Sequence, residues 1–282
     1  MKIPNCYNCG TEARTFYAKE NGFSLVKCCG CGLLYLEERP DDNNISQAHK
    51  QGKHTGLNEL DVTGIFEEEK IPIYLAVLND IFKGDLGNKR TWLDVGCGHG
   101  EFIVAVQKYS NGKIAVIGTE PNIHKQKSAQ ERGLNVTFFD IELHDEKYDV
   151  ISLLNVYSHL PNPPAFIESL KNLLNPGGEI IVQTGDTADF PANDHYRPFY
   201  LPDHLSFASE RIVSDILKRL GFEILTINKY PYRRFDPKSI VKEIVKIFLP
   251  QYKSKISYYL KWKRYSQTDM FIRAKLKEEL SR

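Results

Sequence analysis

Long apolar runs are missing from this 282-residue chain, and no stretch approaches the roughly 18 apolar residues that a bilayer-spanning helix needs. The opening residues, MKIPNCYNCG, hold no apolar core of the kind a secretory signal carries. No signal peptide is therefore expected, and the chain is read as cytoplasmic. A surplus of one charge is missing too. With 37 basic and 36 acidic residues the net charge is +1, so the whole chain offers no field for a polyanion, and an electrostatic partner must be met by a local patch. Cysteine is scarce beyond residue 31: Cys97 alone follows Cys6, Cys9, Cys28, Cys29 and Cys31. What is present is ordinary for a globular protein, with 41% apolar and 26% charged residues. The length suits one large α/β domain with a small attachment.

The early cysteines are paired. Cys6-x-x-Cys9 and Cys28-x-x-Cys31 have the spacing of a four-cysteine zinc site. Gly10 and Gly32 follow the second cysteine of each pair, where a knuckle turn aims N–H groups at thiolates. Four thiolates leave no open coordination position, so the ion would be structural. A segment of about forty residues needs such a staple to hold a fold. Two disulfides are the competing reading, disfavoured in a chain without a secretory signal. Cys29 is a spare thiol. Residues 1–40 thus read as a zinc ribbon. Residues 41–70 read as a polar linker with a short helix near Gly64 to Lys70, in which His49 and His54 are solvated loop histidines.

The stretch Thr91 to Phe102, TWLDVGCGHGEF, organises the rest of the chain. Trp92, Leu93 and Val95 give a buried strand, and Gly96, Gly98 and Gly100 then lead into a helix. Such a loop exposes free N–H groups at the C-terminal end of a parallel strand, where open α/β sheets bind ligands. The third glycine comes one residue too early for the dinucleotide fingerprint, and Glu101 would repel a pyrophosphate. Cys97 reads as a small packed side chain. Upstream, Ile71 to Phe82 has helical apolar spacing. Downstream, Lys113 to Thr119 is a second strand ending in Glu120, before Pro121. A carboxylate about 20 residues beyond the glycine loop accepts hydrogen bonds from both ribose hydroxyls. Further strands are expected at Asn135 to Phe139, Tyr148 to Leu154, Glu179 to Thr184, Glu223 to Asn228 and Thr268 to Ala274. Helices are expected at Asn122 to Arg132 and Pro164 to Leu174, and a third that starts at Ser206 or Ser209 and runs to Leu220.

Asp94, Gly96, Gly98 and Gly100 resemble the first motif of the class I S-adenosylmethionine (SAM)-dependent methyltransferases, an acidic residue followed by G-x-G-x-G. Val156, His159, Leu160 and Pro163 are similar to that family's loop after the fourth strand, with Ser158 where the family has glutamate. Pro176-Gly177-Gly178 and LGFEIL match two later signatures. The resemblance implies a Rossmann-like α/β sheet of seven strands, the last antiparallel and tucked between strands five and six, with the helical insert 230–267 before it. Residues 71–282 would form the SAM-dependent domain. It also implies SAM as cofactor, held by Asp94, Gly96, Cys97, Gly98, Gly100, Glu120, Pro121, Asp140, Ile141, Asn155 and His159, with Asp140 and Ile141 at the adenine. With its ribbon, the chain looks like the subgroup that methylates sugars or other small metabolites.

Methyl transfer needs the acceptor held in line with the methyl carbon and its proton taken up. The polar, aromatic stretch Gly185 to Leu205 is where acceptor recognition is expected. His204 is the candidate base, with Asp203 to orient it or its neighbours, and His195 and Tyr200 are further candidates. Asp203-His204 is similar to the Glu-His pair of sugar C-methyltransferases, except that Leu201 stands where they have tyrosine. The insert 230–267 interleaves basic and aromatic residues, either as a solvated lid or as a face for a phosphorylated substrate, nucleic acid or membrane surface. The leading reading is a methyltransferase of a small, sugar-like or phosphorylated acceptor, with no nucleic-acid partner. The alternatives are a zinc-ribbon RNA methyltransferase and a catalytically idle binding module.

Overall fold

The computed structural model describes residues 1–138, 144–231 and 267–277. In chain order the N-terminal segment read above as a ribbon supplies β1 (Arg14–Glu20), β2 (Phe23–Cys28) and β3 (Leu34–Leu36). Next come α1 (Asp42–Gln51), β4 (Lys53–Thr55), β5 (Glu59–Asp61) and α2 (Lys70–Phe82). The glycine loop joins β6 (Thr91–Val95) to α3 (Glu101–Tyr109). After these come β7 (Ala115–Thr119), α4 (Ile123–Glu131), β8 (Val136–Thr137), β9 (Tyr148–Leu154), α5 (Pro163–Lys171) and β10 (Leu174–Gly185). The chain closes with β11 (Ser206–Phe207), α6 (Glu210–Arg219), β12 (Phe222–Pro231) and β13 (Gln267–Leu276).

Seven strands form one sheet in the order β12-β13-β10-β9-β6-β7-β8. β6 is parallel to both β7 and β9, and β13 lies antiparallel between β10 and β12. Alternation along β6 explains why both of its faces are apolar. Trp92 joins Val150, Ile181, Phe271 and the buried side of α2 and α3 on one face. Leu93 and Val95 join Ile151, Ile180, Val182 and α6 on the other. Phe82 closes the end of α2 on Trp92, with ring centroids 5.8 Å apart, so α2 covers the first sheet strand as its spacing predicts. The chain reverses direction of winding at β6, and the crevice at the C-terminal ends of β6, β7 and β9 is the topological switch point.

Two expectations are corrected. The stretch 41–70 is folded rather than a linker. Asp41 caps α1 by accepting from Asn44 N, Gly52 ends it at φ 72°, and β4 pairs with β5. The helix in this stretch is α1, not one near Gly64. Local charge hid it, because only Ile45 of α1 is buried. The ribbon, moreover, is not an attachment that stands apart. Its sheet has the order β1-β2-β3-β11, so Ser206 and Phe207 complete it by pairing with Tyr35 and Leu34. Leu25, Leu34 and Leu36 share one core with Leu205, Ala208 and Ile212.

Further small differences have local causes. α6 is headed by Ser209, but the hydroxyl makes no capping bond; Asp186 instead accepts from Glu210 N at 2.9 Å. The Pro176-Gly177-Gly178 turn lies within β10, where the register against β9 shifts between Leu174 and Glu179. Most of the insert 230–267 lies outside the described residues, and so do Asp140 and Ile141. Among the described residues no helix is long and apolar enough to cross a membrane.

Candidate functional site

The glycine loop takes its shape from three positive-φ residues, Gly96, Gly98 and Gly100. Gly100 sits at φ +95°, where any side chain is strained, and a Cβ there would also have to displace Leu134 Cδ1, 2.2 Å away. Gly98 differs: its φ is +60° and nothing lies within 4 Å of an added Cβ. Open space over a left-handed backbone is what a ligand that approaches closely needs. Glu120, at the end of β7, is 5% exposed. Its Oε2 accepts from Gly98 N at 2.8 Å and its Oε1 from Asn122 N at 2.8 Å. A carboxylate has about four acceptor positions, so two stay available to a pair of hydroxyls.

Asp94 lies beneath the loop, fully buried. Trp92 Nε1 donates to Ser152 Oγ at 2.8 Å, and Ser152 Oγ donates to Asp94 Oδ1 at 2.5 Å. Burial pushes the Asp94 carboxyl up to about 7. Cys97 is buried and its thiol is raised by that burial, which suits packing and not nucleophilic attack. Glu101 does not face a pyrophosphate-like site freely, since its Oε1 accepts from Glu67 N at 2.9 Å. Pro121 follows Glu120 directly. Asn155 sits at φ +58°, just past β9, with its N–H on Gln183 O. Val156 beside it touches the space above Gly96.

The histidines give the largest departure from expectation. His54 is 3% exposed, and its Nε2 is 3.1 Å from Asp203 Oδ1. His159 Nδ1 is 3.0 Å from the same oxygen. His49 packs against both rings, tilted at 5.3 Å from His54 and edge-on at 6.2 Å from His159. His49 and His54 are therefore not solvated. No short-range pattern in the sequence marks this meeting, because the histidines and Asp203 lie in widely separated segments. Burial lowers His49 to about 4 and also lowers His54. Burial pulls His159 down as well, but the Asp203 charge outweighs it and the group ends raised. Asp203 is opposed by burial, yet His159 holds it below the usual carboxylate range.

Asp203 thus holds His159, through both its carboxylate and its main-chain oxygen, and lies beside His54, whereas His204 is held elsewhere. The His204 Nδ1 lies 2.9 Å from Phe199 O, a contact that places the proton on Nδ1, and the described residues supply no partner for Nε2. Its ring lies 4.8 Å from that of His159, and burial lowers it to about 4. Tyr200 is exposed at φ +60°, with its ring 6.1 Å from His204. His195 is corrected as a catalytic candidate. It is 4% exposed among Tyr17, Phe190, Phe199 and Phe207, and burial lowers it to about 4. That is the setting of a packed aromatic core residue.

The N-terminal strands β1 and β2 and the turn between them buttress the stretch that carries these groups. Glu20 accepts from Phe199 N, Asn21 donates to Leu201 O and Lys27 donates to Ala188 O. Leu36 N donates to Leu205 O, and Leu205 N to Ser158 O. At the far end of this segment the four sulfurs converge: Cys6 and Cys31 Sγ are 3.6 Å apart, Cys9 and Cys28 Sγ 3.5 Å. All six cysteines are unbridged, against the disulfide reading. Sulfurs about 2.3 Å from a tetrahedral ion would stand about 3.8 Å apart, so the set fits zinc. Gly10 N and Gly32 N close the knuckles on the Cys6 and Cys28 carbonyls. The hydrogen bond between Cys6 and Cys31 lowers the Cys31 thiol and raises that of Cys6.

Comparison with known proteins bears on this crevice. Residues 67–227, more than half of the chain, match the family described as "Methyltransferase domain". A curated relative, the ubiquinone biosynthesis O-methyltransferase of Glaesserella parasuis serovar 5 (strain SH0165), is 31% identical over 126 residues, 40% of this chain and 52% of that protein. The chain spans about half the length of the curated relatives it matches. Among solved structures, a SAM-dependent methyltransferase from Archaeoglobus fulgidus superposes with TM-score 0.52 at 18% identity, covering 74% of this chain and 94% of that one. The plantazolicin methyltransferase BamL superposes with TM-score 0.50 at 16% identity, covering 75% and 87%. At these identities the structural likeness is one of fold.

Proposed function

This chain belongs to the methyltransferase-domain family, the SAM-dependent methyltransferases, and from that premise we propose that it methylates an oxygen of a small hydroxylated acceptor. The observation that carries the reading is the pairing of Glu120 with Gly98. A buried carboxylate at the end of β7 grips the N–H of a glycine whose outer face is open. The same arrangement has acceptor positions left for the two ribose hydroxyls of SAM. Gly96, Gly98 and Gly100 would pass under the amino-acid end, with Asn155 and His159 on the β9 side. When bound, SAM supplies an electrophilic methyl carbon on a sulfonium.

The chain's own residues then have to hold the acceptor and manage its proton. The wall formed by His159, Asp203 and His204 stands on loops at the same end of the sheet, and it suits hydroxyl groups, such as those of a sugar-like molecule. His204 is the base: its Nδ1–H is held by Phe199 O, which leaves Nε2 with a lone pair for the hydroxyl proton. Tyr200 would flank the acceptor. The curated relatives' printed activity supports oxygen as the methylated atom. The four cysteines hold a structural zinc ion, a reading supported by the sulfur spacing. Its effect on the chemistry is indirect, through the bonds from the ribbon to Phe199, Leu201 and Leu205.

The test is calorimetric titration of the protein with S-adenosylhomocysteine and with NAD, followed by incubation with SAM and a fractionated metabolite extract. Binding of the former alone and a product one methylene heavier are expected. Binding of NAD instead, or failure to bind or consume SAM, would sink the proposal.

A further inference from the structure

His49, His54, His159 and Asp203 converge from three separate segments of the chain. A ring nitrogen of His49, one of His159 and a carboxylate oxygen of Asp203 lie within 4.8 Å of one another. His54 Nε2 stands 3.1 Å from Asp203 Oδ1, yet out of line for a hydrogen bond. The Nε2 atoms of both His49 and His54 are buried without a hydrogen-bond partner among the described residues. Each such atom forgoes the hydrogen bonds it would keep in water. Two of them beside one buried carboxylate make a poor packing solution and a good ligand set. The family match begins at residue 67, so His49 and His54 come from chain that lies outside it.

We propose that His49, His159 and Asp203 hold a divalent transition-metal ion of the Zn2+, Fe2+ and Mn2+ class, and that His54 steadies the Asp203 carboxylate from outside the coordination sphere. Two imidazoles and a carboxylate suit these ions, whereas Mg2+ and Ca2+ favour all-oxygen sets. Bonds of about 2.1 Å set neighbouring ligand atoms about 3–3.4 Å apart, so side-chain rotations of about an ångström close the site. Three protein ligands leave positions open, unlike the closed four-cysteine set. The side chains of His159 and Asp203 are 24% and 10% exposed, which gives an ion a route in. The proposal deepens the acceptor reading and rests on it for its role. The ion takes the acceptor's hydroxyl oxygen at an open position and makes its proton easier to remove.

The full-length protein, stripped with EDTA and titrated with Co2+ alone, tests this. It is expected to take up about one equivalent with visible d–d absorption and no thiolate-to-cobalt charge transfer, separate from any cobalt bound by the cysteines. Pulsed EPR should show coupling to histidine nitrogen. His49→Ala and Asp203→Asn are expected to lose this equivalent, and His54→Ala to weaken it about 10- to 100-fold. The thiolate band, kept in each variant, reports that the fold survives. The proposal is overturned if wild type binds no cobalt beyond the thiolate-held ion or lacks histidine coupling, or if the extra equivalent persists in both His49→Ala and Asp203→Asn. Since the readout is metal uptake, its failure leaves SAM binding standing, and a failure to methylate leaves the metal site standing.

Discussion

Replacing Glu120 tests the cofactor site most directly. In the free protein its carboxylate accepts from Gly98 N and Asn122 N, both at 2.8 Å. Two acceptor positions remain for ribose hydroxyls. Hydrogen bonds to a charged group contribute about 1.5–3 kcal/mol each. Glu120→Gln keeps one oxygen but turns an amide NH2 toward a donor that needs an acceptor. One ribose bond to a charged group is lost, a loss in binding of about 3 kcal/mol at the upper end, while an N–H left without an acceptor lowers the stability of the free fold. At about 1.4 kcal/mol per tenfold this predicts a Kd for S-adenosylhomocysteine roughly a hundredfold weaker. Glu120→Ala, which removes both ribose bonds, should be weaker still. Calorimetric titration reads the affinities, and a thermal melt of the free protein separates loss of binding from loss of fold. A Kd within about threefold of wild type in a variant that stays folded would refute the ribose assignment.

The same contacts set three other expected outcomes. Gly100→Ala forces a Cβ to 2.2 Å from Leu134 Cδ1 at φ +95°, whereas Gly98→Ala meets only its own φ of +60°; the first should cost about 2–3 kcal/mol of stability in a denaturant melt and the second about 1–2, with its larger effect on SAM affinity. Asp94 is raised from 3.8 to about 7, so it binds a proton more readily folded than unfolded, and its contribution to stability falls as pH rises from about 4 through about 7. Asp94→Asn should therefore gain on wild type between about pH 5 and about pH 8, by up to about 2.7 kcal/mol over the roughly two units from pH 5 to the folded value at about 1.36 kcal/mol per unit, and equal gaps at both pH values would contradict the assignment. Cys28→Ser should accelerate hydrogen exchange in 199–208 as well as in 1–36, because β11 completes the ribbon sheet; faster exchange confined to the ribbon would refute that coupling.

What could be read from residues alone was local. Trp92, Leu93 and Val95 announce a buried strand, Gly96 to Gly100 a turn, and Cys6-x-x-Cys9 with Cys28-x-x-Cys31 a knuckle pair, because each signal spans a few positions and a fixed period. The strand order and the tucked β13 came from the resemblance those motifs support. The histidine–Asp203 cluster and the β3–β11 pairing had no such signature. His54 reaches Asp203 only because α1 and β4 fold back toward the start of α4, where Asn122 Nδ2 donates to His49 O, and α1 buries little beyond Ile45 to advertise itself. Ser206 and Phe207 look like the approach to a helix until Tyr35 and Leu34 offer them a sheet edge. Contacts between distant segments depend on where the whole chain places them, and no periodicity within either segment encodes that meeting.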